Sequence, residues 1–214
     1  MLGGRSQNST LRSGFTIVEL LVVISLTAIL AAIIFAAFPR ARGMARQAAC
    51  VSNCRQIVAA ARMYASDYDL RLPPAMTRGA PPPHQGYSWT VLLQPYMKSE
   101  EIVVCPNDPK PREAGNLVGS PSSYGMNFRL TYNTAFGWNP GPLTSKLTTT
   151  HEHSRRILVF GLSNESDLPG ASFQVHRLSR VEARHGDRVM FGFLDGHVNA
   201  MIPEETVQPQ NLWE

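Results

Sequence analysis

The feature that most constrains this chain is an apolar stretch of 24 residues, 15–38, in which Glu19 is the only ionisable side chain. As an α-helix it would be about 36 Å long, enough to cross a hydrocarbon core about 30 Å thick. A cleaved secretory signal has a shorter apolar region, of about 7–15 residues, that ends at small residues. The stretch therefore predicts a retained, single membrane-spanning helix.

The residues around the span predict how the chain is organised. Residues 1–14 form a basic, polar leader, and residues 39–72 repeat apolar side chains every three or four positions, as in the second, amphipathic half of a long helix. Pro39 lies at the junction, where the missing N–H predicts a kink or a short break. Residues 73–202 are assigned to a β domain, and residues 203–214 to a C-terminal tail.

The β domain is predicted from short runs of β-branched and aromatic residues between turn signals. Residues 89–97 indicate a short helix, and residues 73–88 and 106–123 indicate loops. The strand candidates are residues 102–105, 124–129, 157–161, 173–177, 189–194 and 198–202. Asp195-Gly196 separates the last two and predicts a hairpin with a type I′ turn. One long helix followed by short strands predicts an α+β fold with a small antiparallel sheet.

Arginines dominate the charge of the helical region. Between Pro39 and Ser66 there is no acidic residue but there are five arginines, namely Arg40, Arg42, Arg46, Arg55 and Arg62. Such a run marks either a contact with phosphate or anionic lipid, or a solvated helix face beyond a membrane. We favour the solvated face, so nucleic acid is not an expected partner.

Three cysteines are present, and Cys50, Cys54 and Cys105 fit no usual metal-site spacing. In an oxidising compartment, one disulfide and one spare thiol is the simplest arrangement. Cys50 and Cys54 are four residues apart on a predicted helix, where the Cβ geometry rarely allows a bridge. Residues alone therefore favour a bridge from Cys105 to the helix without choosing its partner there.

The junction Gly14-Phe15-Thr16-Ile17-Val18-Glu19-Leu20 resembles the prepilin signal of type IV pilins and type II secretion pseudopilins. The resemblance implies a pilin-like fold, cleavage between Gly14 and Phe15, and methylation of the new Phe15 amine. It also implies that Glu19 pairs with the Phe15 amine of an adjacent subunit during filament assembly. A carboxylate at bilayer depth costs about 2.5 kcal/mol or more, which independently marks Glu19 as functional.

The remaining chain resembles pseudopilin-like proteins that carry a C-terminal processing-associated motif of histidine, nine residues and Asp-Gly. That motif is His185 followed by Asp195-Gly196, and Cys105-Pro-Asn-Asp108 is another matching stretch. Within this resemblance Cys50 aligns with the family's cysteine and is the favoured partner of Cys105. Cys54 stands where the family has an aliphatic residue. Major pseudopilins often bind calcium, but no matching loop is found, so calcium is left open without assigned ligands.

An enzymatic interpretation would use His185, Asp195 and His197, for instance in a metal-assisted hydrolase. A strand between His185 and Asp195 would hold them more than about 20 Å apart, because each residue adds about 3.3 Å. We therefore expect His185, Asp195 and Gly196 to form a structural motif around a hairpin. No catalytic residue or metal ligand is assigned, and no cofactor is expected apart from the calcium left open above.

These patterns together predict a structural subunit of a pilus-like filament, specifically a pseudopilin of a type II secretion-like system. Its expected partners are further copies of itself, a prepilin peptidase, other pseudopilins and an inner-membrane assembly platform. The expected location is the bacterial inner membrane, with a single pass and the C-terminal domain in the periplasm or outside the cell. Two alternatives remain: a pilus or competence pilin that binds DNA or surfaces, and a membrane-anchored periplasmic enzyme or binding protein.

One pattern opposes this orientation. Two arginines precede the span and three follow within ten residues, so the positive-inside rule alone favours a cytoplasmic C-terminus. The prepilin-like junction and the cysteines are given the greater weight.

The junction makes a direct prediction about the mature protein. In cells that contain a prepilin peptidase, the purified chain should begin at Phe15 and carry one methyl group on that amine. Intact-mass analysis of membrane-purified protein checks both points. A mass that retains Met1 in such cells would contradict the assignment.

Overall fold

The structure is a computed structural model that describes residues 15–78, 80–84, 86–114, 117–127, 130, 147, 152–162, 181–207 and 212. The leader 1–14 with Gly14, and the strand predicted at 173–177, lie outside the described residues. The chain divides into two compact units, Met1–Gly43 and Met44–Glu214.

A single helix, α1 (Ile17–Asp67), begins in the first unit, and Pro39 lies inside it. The helical backbone continues through Pro39, so the short break considered there is wrong. A proline removes only one hydrogen bond, and the alanine-rich turns on either side are strong helix formers. The apolar side chains of this unit are exposed; Ile17, for example, is 78% exposed and Phe35 76% exposed.

The second unit is an α+β domain, which confirms the predicted pilin-like fold class. Its larger sheet has the order β4 (Tyr124–Met126), β5 (Ile157–Gly161), β6 (Val189–Phe193) and β7 (Val198–Met201), and each neighbouring pair is antiparallel. All residues of β4, β5 and β6 are buried, as expected for strands covered on both faces.

The alternation of side chains along β6 explains how the sheet is covered. Met190 and the following Leu194 belong to the core that includes the buried face of α1, whereas Phe191 and Phe193 belong to a second core on the opposite face. The buried residues of α1 recur at helical spacing and are Cys50, Cys54, Ile57, Val58, Ala60, Ala61, Tyr64 and Ala65. The part of α1 from Met44 onward therefore supports the sheet.

A smaller sheet corrects the loops predicted at 73–88 and 106–123. Strands β1 (Met76–Arg78) and β2 (Gly86–Ser88) pair antiparallel, and β2 pairs parallel with β3 (Leu117–Val118). The sheet architecture is therefore mixed rather than purely antiparallel. Strands of two or three residues, within sequence rich in proline and glycine, leave no period-2 pattern for sequence analysis to detect.

The strand predicted at 102–105 is also wrong, because Glu100–Val103 is a 3₁₀ turn. The Ser99 hydroxyl accepts a hydrogen bond from the Glu101 N–H at 3.1 Å, which starts the turn. A four-residue apolar run is equally consistent with a buried turn and a strand. The helix predicted at 89–97 is in fact α2 (Trp89–Leu93) followed by a 3₁₀ turn, Gln94–Tyr96, that contains Pro95.

The hairpin between β6 and β7 forms at the predicted place but with a different turn. The Gly196 N–H donates to the Phe193 carbonyl at 2.9 Å, and the Phe193 N–H donates to the His197 carbonyl at 2.9 Å. Gly196 has a φ of +102°, whereas Asp195 is not among the residues with positive φ. A type I′ turn needs positive φ at both central residues, so the loop is instead a turn followed by a glycine bulge.

Gly192 sets the distance between β6 and α1. A Cβ at this position would lie 2.7 Å from Val58 Cγ2 and 2.8 Å from Cys54 Sγ, closer than van der Waals contact allows. We expect Gly192→Ala to lower the free energy of unfolding by about 1–3 kcal/mol, as in other overpacked cores. Thermal melting of the full chain in detergent measures this change.

Gly43→Ala is the matched control, because a Cβ at this helical glycine meets nothing within 4 Å. Alanine is the better helix former by about 1 kcal/mol, so this variant should be as stable as the parent chain or more stable. Equal melting temperatures for Gly192→Ala and the parent would contradict the packing described for β6.

Candidate functional site

The start of α1 is organised by Glu19, the one ionisable residue of the apolar stretch. The Thr16 N–H and hydroxyl both donate to Glu19 Oε2, at 2.9 and 2.7 Å. In return the Glu19 N–H donates to the Thr16 hydroxyl oxygen at 3.2 Å. This reciprocal arrangement is a capping box, which satisfies free N–H groups at a helix start. Sequence analysis missed this role, although the Thr-x-x-Glu spacing was its signal.

The part of α1 that lies in the first unit is covered with apolar side chains, and these side chains are exposed. The helix is long and apolar enough to cross a membrane, and its most apolar 18-residue window has no buried residue. Phe15, at the start of this surface, is 77% exposed. In water such a surface would be unfavourable by about 25 cal/mol per Å², so this part of the chain requires an apolar environment. It serves as a membrane anchor.

A second group of candidate site residues lies in the second unit, around a disulfide between Cys50 of α1 and Cys105. Their Cα atoms are 5.2 Å apart, and the two residues are separated by 55 positions. Cys54 is buried and free. Burial raises the pKa of the Cys54 thiol to about 12, because a thiolate would be desolvated there.

His185 contacts this disulfide from the segment before β6. Its Nε2 lies 3.5 Å from Cys105 Sγ, and its Nδ1 lies 3.1 Å from Asn107 Nδ2. The Asn107 amide also donates to the Arg184 carbonyl at 3.2 Å. Burial, followed by the positive charge of Arg184, lowers the pKa of His185.

A buried ion pair reinforces the same junction. Arg184 Nη2 lies 3.0 Å from Asp108 Oδ2, and the two side chains are only 5% and 1% exposed. Arg184 also pairs with Glu182 and donates to the backbone carbonyls of Ser123 and Leu162. Asp108 accepts a second contact, from the Lys110 N–H at 3.0 Å. The loop after Cys105 is thus joined to the segment that leads into β6.

Sequence analysis did not single out Arg184 or Asn107 as site residues. Asp108 entered only as part of the Cys105-Pro-Asn-Asp108 stretch that resembles the family. The sequence holds one hint: the acidic residue of that stretch, Asp108, and the basic residue before His185, Arg184, have opposite charges. Charge signs alone cannot show that an arginine and an aspartate 76 positions apart are neighbours.

The other end of the motif lies at the hairpin beyond β6. Asp195 Oδ1 accepts from the His197 N–H at 3.1 Å and lies 2.6 Å from His197 Nδ1. The His197 ring stacks on Phe193 with ring centroids 4.1 Å apart. Burial raises the pKa of Asp195, but the hydrogen bonds from His197 outweigh this effect and lower the pKa overall. Arg62 of α1 donates to the Asp195 carbonyl.

The two ends of the His-x9-Asp-Gly motif therefore occupy different sites. The five residues of β6 between them span about 13 Å at about 3.3 Å per residue. His185 contacts the disulfide, and Asp195 contacts the hairpin and α1. The arrangement can fasten each end of β6, but it does not bring His185 and Asp195 together for chemistry.

Comparison with known proteins gives two matches along the chain. Residues 10–35 match the prokaryotic N-terminal methylation motif. Residues 39–104 match a family described as proteins of unknown function (DUF1559). No curated protein and no solved structure matches the chain.

The ion pair makes a testable prediction. Asp108→Ala would leave the Arg184 charge buried, and the partly exposed Glu182 would be its one remaining anionic partner among the described residues. We expect the free energy of unfolding to fall by about 3 kcal/mol, the lower end of the range for breaking a buried pair. Denaturant unfolding of the full chain in detergent measures this loss.

The double variant Asp108→Leu/Arg184→Met is the control, because it removes both charges together and keeps similar side-chain volume. It should recover most of the stability that the single variant loses. An Asp108→Ala variant as stable as the parent would show that the pair does not hold this junction.

Proposed function

We propose that this prepilin-like chain is a filament subunit, specifically a pseudopilin of a type II secretion-like system. A prepilin peptidase would cleave and methylate it, and it would act by assembly rather than by catalysis. The observation that carries the proposal is the exposed apolar stretch that begins at Phe15, continues into α1 and holds one carboxylate, Glu19. This helix coincides with the match to the N-terminal methylation motif.

The apolar surface supports assembly as well as anchoring. Lipid tails can cover such a helix, and so can identical helices packed side by side, since both exclude water. A head-to-tail arrangement of copies that does not close on itself generates a helical fibre. The same surface of Ile17, Phe35 and their neighbours would therefore pass from lipid contact to subunit contact.

Glu19 supports a specific step in that transfer. Both bonds from Thr16 use Oε2, so Oε1 takes no part in the capping box. We infer that Oε1 accepts the Phe15 amine of a neighbouring subunit while Oε2 continues to cap its own helix. Such a pair would offset the cost of holding a carboxylate at bilayer depth. The positive end of the helix dipole lowers this cost further.

The disulfide supports an exported second unit. A bridge between Cys50 and Cys105 persists in oxidising compartments such as the periplasm and is rare in the cytosol. This observation favours a C-terminal domain in the periplasm or outside the cell, against the orientation that the arginines alone would favour. Within that system, other pseudopilins and an inner-membrane platform are the proposed partners.

The proposal predicts that Glu19→Ala prevents filament assembly without preventing membrane insertion. The variant removes a costly charge from the span, so insertion should be unchanged or improved. It also removes the acceptor for the neighbouring Phe15 amine. Membrane fractionation measures insertion, and shearing followed by electron microscopy measures the yield of fibres, which should fall at least tenfold.

Glu19→Gln separates the two roles of this side chain. Glutamine still completes a capping box with Thr16, but it cannot pair with an amine as a charge. We expect this variant to keep the helix start and still assemble poorly. Full fibre yield from Glu19→Gln would mean that capping, and not charge pairing, is what assembly requires from this residue.

The choice of a secretion system over a pilus is tested by deletion of the gene. Loss of secreted proteins from the medium, without loss of surface pili or DNA uptake, is the expected result. Loss of DNA uptake, together with DNA binding that weakens steeply with salt, would favour a competence pilin.

A further inference from the structure

Three side chains of the kind that bind metal ions meet at the disulfide. The sulfur atoms of Cys50 and Cys105 and a ring nitrogen of His185 all lie within 4.8 Å of one another. We propose that, when the two cysteines are thiols, this cluster binds one zinc ion or a similar thiophilic metal ion. The proposal does not depend on whether the chain assembles into filaments.

The geometry of His185 already suits a metal site. Zinc binds sulfur at about 2.3 Å and histidine nitrogen at about 2.0–2.1 Å, so a sulfur and a nitrogen on one tetrahedral ion lie about 3.6 Å apart. The distance from His185 Nε2 to Cys105 Sγ is 3.5 Å. The imidazole would therefore need little movement to share a metal ion with Cys105.

The two sulfur atoms need a larger change, from a covalent bond to about 3.8 Å apart on a shared ion. Their Cα atoms are 5.2 Å apart, so rotation about the Cα–Cβ bonds can make this change without moving the backbone. Cys50 is held on α1, and the Cys105 N–H is fixed by the Ser123 hydroxyl at 3.0 Å. The ligands thus project from positioned backbone.

Asn107 supplies the outer support that histidine ligands usually have. A metal-bound histidine keeps its other ring nitrogen in a hydrogen bond, which fixes the ring and its tautomer. In the disulfide form, Asn107 Nδ2 faces both the Arg184 carbonyl and His185 Nδ1. Because Nδ2 is a donor, we assign Nδ1 as the acceptor and place the ring proton on Nε2, which faces Cys105. Metal binding at Nε2 would move that proton to Nδ1. Asn107 would then accept a hydrogen bond from Nδ1 through Oδ1 by rotating its amide and giving up its bond to the Arg184 carbonyl.

The surroundings also suit the charge and coordination of such a site. Two thiolates and one divalent ion sum to zero, so the complex would add no net charge beside the buried Arg184–Asp108 pair. Cys50 and Cys105 are buried, whereas His185 is partly exposed. A fourth ligand, such as water, would therefore enter from the side of His185.

The chemistry balances in two steps. A small dithiol reduces the disulfide, giving two protein thiols and an oxidised, cyclic disulfide of the reductant. The metal ion then displaces one proton from each thiol and binds both sulfurs and the neutral imidazole. Newly made chain begins in this thiol form, since disulfides are formed only after export to an oxidising compartment.

The test uses the full chain in detergent, reduced and freed of reductant without oxygen, and titrated with zinc alone or cobalt(II) alone. We expect one zinc per chain by elemental analysis and a thiolate-to-cobalt charge-transfer absorption. The oxidised chain should show neither, because its sulfur atoms are bonded to each other. No saturable binding to the reduced chain, or equal binding to the oxidised chain, would overturn the proposal.

Variants identify the ligands. His185→Ala should weaken zinc binding about 100-fold or more, and Asn107→Ala about tenfold, the lower end for the loss of an outer support. Cys54→Ala and His197→Ala are matched controls at residues outside the cluster and should bind as the parent does. Unchanged affinity in His185→Ala, or lost binding in Cys54→Ala, would place the metal elsewhere and overturn the assignment.

If the reduced chain loses its folded structure, a folding measurement takes the place of the binding titration. Metal affinity becomes folding free energy when a site is absent from the unfolded chain. Zinc should then restore the near-ultraviolet circular dichroism of the reduced parent chain but not that of His185→Ala. A reduced parent that remains unfolded with zinc would count against the site.

Discussion

The covalent link between Cys50 and Cys105 is the constraint around which the second unit is arranged. Closing a loop of 55 residues stabilises the folded state by about 4 kcal/mol, if the effect is assigned to the entropy of the unfolded chain. The bridge fixes the loop after Cys105 against α1. Tyr124 of β4 adds a second link there, donating from its hydroxyl to the Cys50 carbonyl at 3.2 Å. The sheet and the helix are thus joined where the loop is anchored.

The positions of these contacts explain why nine residues separate the histidine and the aspartate of the His-x9-Asp-Gly motif. The nine intervening residues hold a short turn, the five residues of β6 and the first residue of the hairpin loop. His185 and Arg184 fasten the beginning of β6 to the disulfide loop, while Asp195 is held by Arg62 of α1. The length of the motif therefore corresponds to one strand, β6, with residues at each end that bind it to the rest of the domain. Arg62 also shows that the arginine run is partly structural.

Sequence patterns predicted the elements whose side chains repeat over several turns or strands. The apolar stretch led to the anchor, and the runs around Ile157–Gly161 and Val189–Phe193 led to the central strands of the larger sheet. The small sheet was missed because its strands are held by backbone pairing and have no hydrophobic period. The choice of Cys50 over Cys54 came from family resemblance. The Arg184–Asp108 pair required the fold, since only tertiary structure brings those residues together.

The third cysteine, Cys54, is a free thiol close to the disulfide in sequence, and its packing limits its reactivity. Cys54 lies one helical turn from Cys50, and a thiolate there could attack the disulfide and exchange partners. Its place against Gly192 of β6 instead buries it completely, and burial raises its pKa to about 12. Exchange requires the thiolate, so the raised pKa disfavours attack by Cys54 on the disulfide near pH 7. The missing Cβ of Gly192 thus allows a sulfur to serve as a core side chain, and the same burial disfavours the thiolate that exchange with the Cys50–Cys105 bridge would require.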